Sequence, residues 1–94
     1  MIEVRQSAGG DPLKFEVVVR DTAGETRHVV TMAPATYQEL TAGRCTPAKC
    51  VEATFRFLLD REPKEQILAR FDMAVVPHYY PDFVAKLPNY LAPS

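Results

Sequence analysis

Apolar and polar residues alternate along Leu13–Asp21, with Val18 the one exception. Leu13, Phe15, Val17 and Val19 fall on one side, and Lys14, Glu16, Val18 and Arg20 on the other. A period of two marks a half-buried strand. Residues 25–32 alternate again, and Asp21-Thr22-Ala23-Gly24 between them carries turn chemistry. Closing that turn sets Arg20 opposite Glu25, an opposite-charge pair, and Val18 opposite Arg27. The same register puts Val17 opposite His28 and Phe15 opposite Val30 on the inner face. An antiparallel hairpin is therefore predicted. Ile2 and Val4 alternate with Glu3 and Arg5 ahead of a Gly9-Gly10-containing loop, so residues 1–12 read as a flexible segment or a short third strand.

The period changes after residue 33. Ala33-Pro34 opens a short helix to about Leu40, with Gly43 as its terminator. Thr46-Pro47 reads as an N-cap followed by proline in the first helical position. The main helix then spans 47–61. Lys49, Glu52, Arg56 and Asp60 form a narrow polar strip, and Cys50, Val51, Ala53, Phe55, Phe57, Leu58 and Leu59 fill the rest. The apolar arc is roughly 240° wide, against about 100° for a helix lying on a core surface. Such a helix needs cover on two sides. The hairpin supplies one, and the C-terminal segment or a second subunit must supply the other. Glu62-Pro63 breaks this helix and starts another over 63–70. A further short helix is expected after Asp72 to Tyr80, another turn over 81–87, and a frayed tail over 88–94.

The predicted fold class is thus α+β: an antiparallel hairpin, with room for a third strand, packed against three to five short helices, with the long helix 47–61 central. One globular domain is expected over 13–87. The chain has 94 residues, enough for one modest core. Eleven Lys and Arg against 12 Asp and Glu leave a formal charge of -1, which excludes a generally basic nucleic-acid binder. The start, Met1 to Gln6, has no apolar stretch behind a basic one, and no window approaches a membrane span, so a cytoplasmic protein without membrane contact is expected.

The run Phe57-Leu58-Leu59-Asp60-Arg61-Glu62-Pro63-Lys64-Glu65-Gln66-Ile67-Leu68, with Phe71-Asp72 and Tyr79-Tyr80-Pro81-Asp82-Phe83 after it, resembles a domain of unknown function found in small prokaryotic proteins. The pattern there reads F-L-L-E-R-E-P-K-E-x-I-L, then F-D-L-P, then Y-F-P-E-Y, behind a predicted strand pair. Met73-Ala74 and Pro77 depart from it, as does the tail after Lys86. The resemblance covers most of residues 13–83 and implies no activity.

Candidate chemistry is sparse. Cys45 and Cys50, with four residues between them, are too few for a zinc site and suit the N′ and N4 positions of a hydrophobic staple on the main helix. His28 falls on the inner strand face as a buried, hydrogen-bonded residue. His78 stands beside Tyr79, Tyr80 and Asp82, a grouping able in principle to move protons. Residues 63–80 mimic a helix-turn-helix, but the second helix has no Lys or Arg for DNA. No catalytic residue, cofactor or metal is expected.

The function expected from sequence is a small non-catalytic cytosolic protein-interaction module. It is expected to be homodimeric, with Phe57, Tyr79, Tyr80 and Phe83 at or near the contact surface, because aromatic side chains are the usual anchors. The alternative is a dimeric ribbon-helix-helix regulator, in which Arg27, Val29 and Thr31 of a two-chain ribbon read DNA.

Overall fold

The computed structural model describes residues 1–91. Four strands form one sheet: β1 (Ile2–Ala8), β2 (Leu13–Asp21), β3 (Gly24–Met32) and β4 (Arg70–Asp72). They lie in the order β1-β2-β3-β4. The first three are antiparallel, and β4 runs parallel to β3. The helices are α1 (Pro34–Thr41), α2 (Pro47–Leu59), α3 (Val76–Tyr79) and α4 (Phe83–Leu91). This is an α+β fold.

The β2–β3 ladder has the register that alternation and charge require. Val17 pairs with His28, Phe15 with Val30, Val18 with Arg27 and Arg20 with Glu25. Phe15, Val17, Val30 and Met32 are fully buried on one face. The other face is wet and ion-paired. Arg20 reaches Glu3 at 2.7 Å and Glu25 at 3.0 Å, Arg27 reaches Glu25 at 2.9 Å, and Arg5 reaches Glu16 at 2.6 Å. Hydrogen bonding to Arg20 holds the Glu25 carboxyl below its ordinary range. Pairs this exposed contribute about 0–1 kcal/mol each, so they fix register more than stability.

Thr46 caps α2, its hydroxyl accepting from the Lys49 N–H at 3.2 Å, with Pro47 in the first turn. Thr46→Ala is expected to cost about 1 kcal/mol, read by urea unfolding, because one N–H at the helix start loses its partner. The expected staple is present in part: Cys50 is fully buried at N4 and Cys45 is half-buried ahead of the cap.

The wide apolar arc of α2 is covered within the chain. Phe55 faces the sheet side, its ring 5.2 Å from His28 and 5.9 Å from Phe71. Phe57, on the opposite side of the helix, meets Phe83 at 5.1 Å and Tyr90 at 5.8 Å. α4 is therefore the second cover, and the arc gives no ground for a second subunit.

Two expectations are corrected. Residues 63–70 are not a helix: a three-residue 3-10 turn, Lys64–Gln66, is followed by extended chain into β4. The 81–87 turn and the start of the 88–94 tail are one helix, α4, which holds Pro88 in its interior. Pro88 removes a bond to the Val84 carbonyl, a loss tolerable because Val84 is exposed to water. Residues 92–94 lie outside the described residues. Of the two readings of residues 1–12, the structure has the strand, over Ile2–Ala8, paired with β2 from Ile2 opposite Val19 to Ala8 opposite Lys14.

Candidate functional site

The four aromatics expected at a contact surface are separated by the fold. Phe57 and Phe83 are fully buried and belong to the core between α2 and α4. Arg61 lies over the Phe57 ring, 3.6 Å from its centre, and closes it from solvent while pairing with Asp82 at 3.0 Å. Tyr80 is half-buried, and its hydroxyl donates to the Glu62 carboxylate. That bond raises the phenol above its ordinary value, since ionising it would leave two anions in contact. Tyr79 is 67% exposed.

Tyr79 and Tyr80 border a groove of about 210 Å³ between the end of α2, the 62–71 connection and α3. Leu58, Ile67 and Val76 are buried and form its floor. Leu68, 49% exposed, stands at the rim with Tyr79. Glu62 is the acid among the lining residues. The connection is pinned from both ends. The Val29 N–H donates to the Ala69 carbonyl at 2.8 Å, and Thr31 donates to the Asp72 carboxylate at 2.7 Å. At the other end Lys64, nearly buried, ties Glu65 to Asp21 of the hairpin turn. Hydrogen bonds to Glu65 and Asp21 raise the Lys64 ammonium, and the bond to Lys64 lowers Asp21. Sequence reasoning missed Leu68, Phe71 and Val75, which also line the groove.

The histidines show no assembled proton relay. His28 is buried, with Nδ1 2.8 Å from the Leu68 carbonyl and Nε2 2.8 Å from the Thr26 hydroxyl. A carbonyl only accepts, so Nδ1 carries a proton, and the Thr26 hydroxyl, able to donate or accept, satisfies Nε2. His78 is exposed, while its neighbours Tyr80 and Asp82 are bonded elsewhere, to Glu62 and Arg61. Among the described residues no group of three or more His, Cys, Asp or Glu is placed to hold a metal. Among them, too, no helix is long and apolar enough to cross a membrane.

Arg27, Val29 and Thr31 lie on the outer face of β3, as the ribbon-helix-helix alternative requires. Their strand, however, has no open edge at Val29 to Thr31, being paired with β2 on one side and β4 on the other. The second chain of a DNA-reading ribbon has nowhere to add. The helix-turn-helix mimic fails because its first helix does not form. No family model, curated protein or solved structure matches the chain.

Proposed function

We propose that this chain is a small non-catalytic, cytosolic protein-interaction module that seats one bulky apolar side chain of a partner protein, flanked by a basic residue, in the groove bordered by Leu68 and Tyr79. The observation that carries this is a water-exposed leucine and tyrosine at the rim of an apolar depression with a buried floor. Large apolar side chains left in water next to a depression mark interaction sites. The volume decides the size of guest. Sites for drug-sized molecules or cofactors run to about 300–1,000 Å³, and a groove of about 210 Å³ suits a single anchoring side chain. Glu62 sets the charge of the guest: Tyr80 satisfies one of its lone pairs and leaves room for a cation. The two free thiols, Cys45 and Cys50, accord with a reducing compartment.

The test is selection of peptides from a random phage-displayed library on the immobilised protein, followed by fluorescence polarisation with the selected peptides. Peptides pairing a large apolar residue with Arg or Lys are expected. Leu68→Asp is expected to weaken them at least about ten-fold, because burying a leucine contributes about 1.5–3 kcal/mol and about 1.4 kcal/mol is a factor of ten. The fold is expected to survive, since what Leu68 gives His28 is its backbone carbonyl. No enrichment over a bare surface, or equal binding by Leu68→Asp, would sink the proposal.

A further inference from the structure

We infer that the free edge of β1 is a self-docking surface, which pairs antiparallel, about a twofold axis, with β1 of a second copy of this chain. Among the described residues, β1 ends the sheet order and is 7 residues long, whereas the opposite edge strand, β4, has 3. An unpaired edge of that length is a template for another strand. The surface shares no residue with the groove.

Ladder parity shows which backbone groups are free. Met1 and Arg20 exchange both hydrogen bonds, at 2.8 and 2.7 Å. Bonded and non-bonded pairs alternate along an antiparallel ladder. Glu3 and Arg5 therefore bond toward β2, opposite Val18 and Glu16. The N–H and C=O groups of Ile2, Val4 and Gln6 point away from the sheet.

Twofold pairing must set these outward residues opposite one another, and the charges between them choose the register. Ile2 opposite Val4 would place Glu3 against Glu3. Val4 opposite Gln6 would place Arg5 against Arg5. Like charges directly opposed are destabilising. Val4 opposite Val4 places Glu3 opposite Arg5 on both sides of the axis, in non-hydrogen-bonded pairs where side chains stand closest. It also makes about six new backbone hydrogen bonds, two each from the Ile2–Gln6, Val4–Val4 and Gln6–Ile2 pairs. Registers centred on Ile2 or on Gln6 leave most of the strand unpaired. The alternation of Glu3 and Arg5 is thus self-complementary in one register, and the partner it fits is this same strand.

The test is sedimentation velocity over a concentration series in reducing buffer, with circular dichroism as the fold control. The wild-type mass is expected to rise with concentration to twice the monomer. Val4→Pro is expected to stay monomeric and folded, because the N–H it removes makes no bond within the monomer and edge strands accept proline. Glu3→Arg and Arg5→Glu are each expected to weaken self-association at least about ten-fold through like-charge pairs. Mixed together, these two variants are expected to form a heterodimer, since every facing pair is then opposite in charge. That mixing result decides the question even if Val4→Pro unfolds. A wild type monomeric throughout, or a dimer indifferent to all three substitutions, overturns the inference.

Discussion

Phe57→Ala is expected to remove about 3–5 kcal/mol of folding stability, the usual cost of emptying a buried aromatic site. A domain this small holds about 5–15 kcal/mol in total, so the variant should lose roughly a fifth or more of it. Phe57 is fully buried. Its ring is met edge-on by Tyr80 at 5.7 Å, Phe83 at 5.1 Å and Tyr90 at 5.8 Å, and capped by Arg61 at 3.6 Å. Edge-to-face pairs add about 0.5–1.5 kcal/mol beyond burial. Three partners of one ring cannot all be re-formed by collapse, because Tyr80 is held just after α3 while Phe83 and Tyr90 are held on α4. Urea unfolding followed by circular dichroism checks this, and at roughly 4–8 °C per kcal/mol the thermal midpoint should fall by more than about 12 °C. A loss under about 1 kcal/mol would mean that α4 is not packed on α2 as described. Phe57→Leu should recover part of the loss, since it restores volume but not ring geometry.

The hairpin was legible because three independent signals converge on it: a period of two, a turn sequence and the Arg20–Glu25 charge pair. The α2 start was legible because Thr46-Pro47 is a local device, needing no tertiary partner. The segment 62–72 was not. Ile67, Leu68 and Phe71 stand at helical spacing, yet the chain there is held by partners distant in sequence: His28 on the Leu68 carbonyl, Val29 on Ala69 and Thr31 on Asp72. A three-residue parallel strand carries no alternation of its own. α4 was obscured by Pro81 and Pro88, which read as breaks although Pro88 lies within the helix. The aromatic positions drew notice for their residue type, but type does not report depth. Phe57 and Phe83 went to the core, while Leu68, an ordinary aliphatic residue, reached the groove rim. The groove is tertiary in origin: its wall exists because β4 turns the 62–71 connection back beside α3.

Above about pH 9 the protein is expected to lose stability with a slope to which the Cys50 thiol contributes. Cys50 is fully buried beneath the start of α2. Burial first, and the neighbouring Cys45 second, push its thiol from an ordinary 9.0 up to about 12. Between those values the unfolded chain releases the proton and the folded chain keeps it. The unfolded state then binds fewer protons, so unfolding becomes easier as pH rises, by up to about 1.4 kcal/mol per pH unit. The contribution is complete below pH 9 and is lost progressively toward pH 12. Lys64 and Tyr80 also have raised values and titrate at alkaline pH, so the comparison must be with Cys50→Ala, which retains both. Urea unfolding from about pH 8 to about pH 10, under reductant, should show a steeper decline in the wild type than in the variant, by on the order of 1 kcal/mol per unit. Parallel declines would show that the Cys50 thiol ionises as freely folded as unfolded, and that the α2 start is open to solvent. Thiol alkylation should agree: Cys45, half-buried, reacts in the native protein, and Cys50 reacts only when the chain unfolds.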